Sequence, residues 1–344
     1  MRRRLGLSMT AAALLMSSSL ASHAASEVNI YSYRQPFLIE PLLQAFTEET
    51  GIRTNLIFAK KGLETRIKAE GEFSPADLLL STDVGRLQAA KNQGIAQPVS
   101  SEILHQNIPA RFRDETDQWF GLTTRARVVY ASNERVADTE ITYEDLADPK
   151  WKGRICTRSG QHDYTIGLIA SMIVNDGEEA TKTWLEGVKA NLARRPTGDD
   201  RAQVKAVYAG ECDIALGNTY YMGKMQTNDK EPEQKEWAKS VRILFPNSKD
   251  RGTHVNISGM MLTKYAPNKD NAIKLMEFLS SAKAQQIYAE GNFEYPVRQD
   301  IEPSELVKSW GSLTPDAVAL GKIADARQKA SELVDIVDFD AGAR

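Results

Sequence analysis

Val28-Asn29-Ile30-Tyr31-Ser32-Tyr33 is a short apolar run, and the segments after it set the architecture. The amphipathic stretch Phe37 to Thr50 comes next, then a second run, Thr54 to Phe58, another amphipathic stretch, Leu63 to Glu70, and a third run, Ala76 to Leu80. The runs are of strand length, and the stretches between them repeat apolar residues at helical spacing. This β-α-β-α-β alternation predicts a mostly parallel sheet covered by helices on both faces. Further along, Val128 to Tyr130, Arg154 to Thr157, Asp213 to Gly217, Val241 to Phe245 and Ile257 to Leu262 read as strands. Helical segments lie around Ile166 to Val174, Glu178 to Leu192 and Arg201 to Ala209, and the chain from Asn271 onward reads as consecutive helices without an internal repeat.

The amino terminus indicates where such a chain works. Arg2-Arg3-Arg4 precedes an apolar, Ser-rich stretch from Leu5 to Leu20 and a small-x-small ending at Ser22-His23-Ala24, the three parts of a cleaved secretory signal over residues 1–24. The apolar part is too short for a membrane span, which needs about 20 such residues. Taking the three arginines from 43 basic residues leaves 40 against 46 acidic ones, a formal charge of −6. Without a long basic run this balance gives no support for nucleic-acid binding. The remaining chain, about 320 residues, suffices for two domains. Two α/β lobes in an exported protein predict a clamshell whose ligand sits where strand ends from both lobes meet. Functional side chains should therefore lie just after strands or at helix starts.

Several tyrosines occupy such places. Tyr33 closes the first strand, Tyr164 opens a helix after the strand near Thr157, and Tyr220-Tyr221 opens another after Asp213 to Gly217. Tyrosine is usually just a partly buried aromatic. An adjacent pair at a strand-to-helix turn, however, aims two phenol oxygens at one cavity. A phenol has a reference pKa of roughly 10, so only a hard, strongly Lewis-acidic cation displaces its proton near neutral pH, and ferric iron meets that description. Oxygen-only donors disfavour copper and zinc. His105, His162 and His254 lack ligand spacing, and His162 reads as a loop histidine. Asp163 and the pair Asp199-Asp200 read as helix-start residues. The two cysteines, Cys156 and Cys212, lie eight residues before Tyr164 and Tyr220 respectively. In an exported chain they predict a disulfide that ties two tyrosine-bearing strand ends together.

Four segments, Tyr31-Ser32-Tyr33-Arg34-Gln35-Pro36, Gly121-Leu122-Thr123-Thr124-Arg125-Ala126-Arg127, Gly217-Asn218-Thr219-Tyr220-Tyr221 and Glu294-Tyr295-Pro296-Val297, make the chain similar to the bacterial periplasmic ferric-binding proteins. The resemblance runs through nearly the whole mature chain. It implies a two-lobed, type II periplasmic-binding-protein clamshell, each lobe a mixed sheet flanked by helices and joined by a hinge. Residues 25–124 and 251–298 would form the N-terminal lobe, and residues 125–250 and 299–344 the C-terminal lobe. It further implies a monomeric soluble receptor in the periplasm that captures Fe(III), bare or as a small ferric chelate, and hands it to an inner-membrane ABC permease. Tyr164, Tyr220 and Tyr221 match the phenolate ligands of the all-tyrosine branch, while Tyr295 matches a structural position. Some relatives place a His-Tyr pair where this chain has Gln35-Pro36. That departure turns attention to Tyr33, an anion or water for the remaining coordination positions. Three phenolates neutralise a trivalent cation, and a synergistic anion such as carbonate could be held by Arg125, with Arg34 and Arg127 as further candidates.

Two other classes are weighed against this reading. A clamshell receptor for another small solute, an organic anion, oxyanion or polyamine, would share the leader and the lobes. A secreted enzyme would need catalytic motifs, and the sequence has no Gly-x-Ser-x-Gly elbow, His-Glu-x-x-His element, P-loop or dinucleotide fingerprint. The expectation is a binding protein, not an enzyme.

Overall fold

The computed structural model describes residues 26–343, so the leader expected over residues 1–24 lies outside the described residues. The opening alternation folds as predicted. Strand β1 (Glu27–Ser32) pairs in parallel with β2 (Arg53–Phe58) and with β3 (Leu78–Ser81), and the crossovers run through the helices Pro36–Thr50 and Leu63–Glu70. Pro36 stands in the first turn of its helix, where a fixed φ and a missing N–H cost nothing. Gly51 ends that helix in the left-handed region, and its N–H returns to the carbonyl of Thr47.

The sheet is mixed, as the family resemblance implies, rather than mostly parallel as the alternation alone suggests. Its remaining strands are β4 (Phe120–Ser132), β5 (Ile155–Cys156), β6 (Ile214–Asn218), β7 (Val241–Leu244), β8 (Val255–Leu262) and β9 (Tyr295–Pro296). Three strand pairings are parallel and five antiparallel. The reason is β4, a single strand that serves two sets of partners. Its first half runs antiparallel to β8, from Phe120 opposite Met260 to Ala126 opposite Val255. From Arg127 opposite Asn218 onward it pairs with β6 instead, and from Val129 also with β7. Every residue of β4 and β8 is buried, which is why their sequences lack the alternation of a one-faced strand.

Helices flank β5 and β6 much as the sequence predicts. Asp163–Asp176 and Glu178–Ala190 succeed β5, Asp200–Tyr208 precedes β6, and Tyr220–Gln226 succeeds it. The helix Asp200–Tyr208 buries Val204, Ala206 and Val207 against β6. Each such aliphatic side chain as large as valine contributes on the order of 1.5–3 kcal/mol when fully buried. The carboxyl end is not uninterrupted helix. After Lys269–Leu279 and Ala282–Asn292 the chain adds β9 to β4 at Thr123 and Thr124, then resumes with Glu305–Lys308, Leu320–Asp325 and Arg327–Val337. Cys156 and Cys212 form the expected disulfide, both buried. Among the described residues no helix is long and apolar enough to cross a membrane.

Candidate metal centre

The turn between β6 and the helix Tyr220–Gln226 is fixed before its tyrosines are considered. Tyr130 on β4 donates its hydroxyl to the carbonyl of Asn218 at 2.6 Å. Its ring occupies the space that a Cβ on Gly217 would need, since that atom would stand 2.2 Å from the ring, so only glycine serves there. Thr219 exchanges hydrogen bonds with Ala126, its N–H donating to the Ala126 carbonyl at 3.0 Å and its hydroxyl accepting from the Ala126 N–H at 3.3 Å. The Asn-Thr-Tyr-Tyr element is thus clamped to β4 one residue beyond Arg125.

From that turn Tyr220 and Tyr221 project with rings stacked, their centroids 4.4 Å apart. Tyr164, second residue of the helix Asp163–Asp176, reaches the same place: its hydroxyl lies 3.1 Å from that of Tyr220. His162 does not join them as a donor to the cleft. It caps the Tyr164 helix, its Nδ1 accepting the Tyr164 N–H at 3.1 Å with its ring edge-on to the Tyr164 ring. Burial, assisted by Arg158, depresses it to about 4, so the cap is a neutral imidazole at physiological pH.

All three tyrosines line one cleft of about 750 Å³ together with Tyr33, Arg34 and Arg125. Burial raises the Tyr220 phenol well above its ordinary pKa, and Tyr164, Tyr221 and Asp200 add to the effect. Tyr221 is raised by burial, then by Asp200 and Tyr164, while Tyr220 and Arg158 pull the other way. Without a cation the phenols of Tyr220 and Tyr221 are therefore protonated. Tyr33 lines the cleft too, but its hydroxyl is engaged in its own neighbourhood. It donates to the Glu64 carboxylate and accepts the Leu63 N–H at 2.7 Å, and burial followed by Glu64 pushes it up to about 12.

The three arginines separate in the same way. Arg34 is bonded to Glu294 at 2.8 Å and to the Ser258 hydroxyl. Arg127 does not line the main cleft; it reaches back to Asp200 at 2.9 Å. Arg125 donates to the Thr82 carbonyl and to Ser258 Oγ at 3.3 Å, and no carboxylate forms an ion pair with it among the described residues. Its guanidinium thus stands at the cleft wall without a direct counter-charge, beside Tyr164, whose ring centroid is 6.0 Å from the guanidinium carbon.

Several contributors were not foreseen. Asp200 is fully buried, accepts from Arg127 and Arg158, and receives the Asn218 N–H at 2.8 Å, so one carboxylate organises two guanidiniums and the turn before Tyr220. Its neighbour Asp199 is the helix cap that the sequence suggests for the pair. Arg158 lies 5.2 Å from the Tyr164 ring centroid, and Lys224, one turn after Tyr220, lies 4.7 Å from that of Tyr220. Burial lowers the Lys224 ammonium to about 8. A charged residue two places after Cys156 was the available sign of Arg158; Lys224 is visible only as i+4 from Tyr220 on a short helix. Among the described residues no cluster of three His, Cys, Asp or Glu side chains is placed to hold a metal ion.

The description "bacterial extracellular solute-binding protein" is that of the family model matching residues 73–310. Iron uptake protein A1 of a Synechocystis species is 46% identical over 311 residues, spanning 90% of this chain and 86% of that protein. The fold superimposes on ferric iron-binding protein A of Mannheimia haemolytica in an open conformation, with a TM-score of 0.88 and 53% identity over 92% of this chain and 99% of that one. It superimposes equally well, at a TM-score of 0.88 and 42% identity over 91% of this chain and 100% of that one, on a Trichodesmium protein in complex with iron and citrate. The architecture shared with these structures is the two-lobed type II periplasmic-binding-protein clamshell.

Proposed function

Because this chain belongs to the family of bacterial extracellular solute-binding proteins, we propose that it is the periplasmic receptor of an ABC importer, capturing ferric iron in its cleft and delivering it to the inner-membrane permease. One observation carries the proposal: the Tyr164 and Tyr220 hydroxyls lie 3.1 Å apart with the Tyr221 ring stacked alongside, in a cleft without a rival ligand cluster among the described residues. Three phenolates supply hard, oxygen-only donors and three negative charges, which suits a trivalent hard cation. Charge neutrality matters because the site is largely buried, and an uncompensated trivalent ion there would be costly.

Tyr164, Tyr220 and Tyr221 are the ligands in this reading, and each loses its proton as iron enters. Since burial favours the neutral phenol at Tyr220 and Tyr221, loading releases protons and acidification opposes it. Arg125 is the group for a synergistic anion such as carbonate, because its guanidinium faces the cleft without an ion-paired carboxylate of its own. Arg201 and Lys224 extend the positive lining, which also suits a small carboxylate chelate of iron. Tyr33 takes part only if its bond to Glu64 is surrendered. The hinge falls where β4 changes partners, between Ala126 and Arg127, and in the segment leading into β8. Closure about it would mark the loaded state for the permease, and opening on docking would release the ion.

The test is optical. Ferric citrate added to purified apoprotein should produce a visible phenolate-to-iron charge-transfer band that saturates at one iron per chain. A colourless protein that takes up no iron would return the chain to the receptors for other solutes.

A further inference from the structure

Arg327 opens the helix Arg327–Val337, far from the cleft in sequence, and has no place in the ligand set. Its guanidinium nevertheless enters a slot between the helix Val84–Asn92, which follows β3, and the helix Asp163–Asp176, which carries Tyr164. Nη1 lies 3.4 Å from Asp83, the cap of the first helix, and Nη2 lies 3.1 Å from Asp163, the first residue of the second. A glycine lies on each side. A Cβ on Gly85 would stand 2.4 Å from Arg327 Nε, so the slot as occupied depends on glycine there, whereas one on Gly167 would stand 3.5 Å from Nη1, an ordinary contact. The preceding helix, Leu320–Asp325, packs on both walls.

Both carboxylates are tied further. Asp83 accepts from Asn256 of β8 at 2.7 Å and caps its helix through the Arg86 N–H; the Arg86 side chain crosses to Asp163 at 3.3 Å. The chain Asn256–Asp83–Arg327–Asp163–Arg86 therefore joins the β3 side of the molecule to the β5 side immediately next to Tyr164. Arg327 is only 15% exposed and Asp83 3%, so that ion pair is screened less than a surface pair, whereas the Asp163 carboxylate is 45% exposed and its pairing is the weaker of the two.

We infer that Arg327 is a positioning residue, a pin between the two lobes that sets the distance at which the Tyr164 helix faces the β1–β3 side. The Asp163 carboxylate is the handle by which the pin holds that helix. Its consequence for iron rests on the receptor reading above; the pin itself does not.

The experiment has two readings. Spin labels at Lys68→Cys and Glu186→Cys, exposed positions on the two sides, report the interlobe distance in apoprotein by double electron–electron resonance, and ferric titration reports affinity. Arg327→Gln is expected to broaden the distance distribution and to weaken ferric binding about tenfold, whereas Lys329→Ala, a surface change two residues on, should alter neither. Asp163→Asn combined with Arg327→Gln should be less than additive, since the two changes share the Arg327–Asp163 contact while each also loses a partner of its own, Arg86 and Asp83 respectively. Should Arg327→Gln not be recovered folded, Gly85→Ala, which keeps the charge but fills the slot, decides by the same two readings. An unchanged distance distribution overturns the pin. A changed distribution with unchanged ferric affinity overturns its role in positioning Tyr164. A wild-type protein that binds no iron removes the receptor reading, and the distance distribution still decides the pin.

Discussion

Tyr33 and Tyr220 line the same cleft, are buried to a similar degree, and are prepared for opposite fates. Tyr33 has satisfied its hydroxyl within the β1–β3 side, donating a hydrogen bond to Glu64 and accepting one from the Leu63 N–H. Tyr220 has another phenol as its partner, Tyr164 at 3.1 Å. Two phenols bonded to each other satisfy a hydroxyl in the empty state yet can both release their protons to a cation, whereas a carboxylate partner opposes loss of the proton by placing a negative charge beside the phenolate. In the proposed receptor, ligand readiness at this cleft would thus be decided by the neighbour of each hydroxyl rather than by the residue type.

The largest test of that contrast is to remove the cluster. Tyr220→Phe with Tyr221→Phe should abolish the charge-transfer band and cost ferric affinity more than the roughly 100-fold typical of outer-shell changes. Equilibrium titration with a competing chelator measures it. The scaffold beneath the cluster comes next. Cys156→Ser with Cys212→Ser frees the strand ends that lead to Tyr164 and Tyr220, and should lower stability by on the order of 4 kcal/mol for a closed loop of this length, read as a drop in the denaturation midpoint.

Acid should also act on the cluster side. His254, buried just before β8, is depressed to about 3 by burial and by Arg127, below its ordinary 6.5. Its folded value is lower than its unfolded one, so the unfolded chain takes up the proton first; stability is intact above pH 6.5 and falls as pH drops toward 3. By pH 5 the loss should be about 2 kcal/mol, and His254→Gln should flatten the pH dependence of the thermal midpoint. The smallest effect is expected at Tyr33. Tyr33→Phe should change ferric affinity by less than about threefold, or under ~0.7 kcal/mol, because its hydroxyl already has partners. A large loss there would mean that the bond to Glu64 breaks on loading.

The contrast between the two tyrosines was only half legible in the sequence. Strand-to-helix turns were readable from apolar runs ending in Gly217-Asn218 or leading to Asp163, so the positions of Tyr164, Tyr220 and Tyr221 could be read as convergent. What no local pattern carries is the partner of a side chain. Glu64 lies 31 residues from Tyr33, and Asp200 lies 73 from Arg127 and 42 from Arg158. Those pairings exist only once the chain has folded back on itself, the first within the β1–β3 side and the others where Asp200 meets β4 and the segment after β5. The same strand explains why the alternation alone pointed to a mostly parallel sheet where the family resemblance implied a mixed one: a long, fully buried β4 gives no periodicity from which to read that it changes partners midway. Arg125 and Arg127 stand two residues apart on one strand, the first ranked ahead of the second in the sequence reading; a buried aspartate claims Arg127 and leaves Arg125 facing the cleft.

The most direct measurement is a crystal structure of the iron-loaded protein with anomalous data at the iron edge. The account predicts a single iron peak bonded to the phenol oxygens of Tyr164, Tyr220 and Tyr221, with Tyr33 still held by Glu64. An iron peak elsewhere, or one bonded to fewer than those three oxygens, would contradict it.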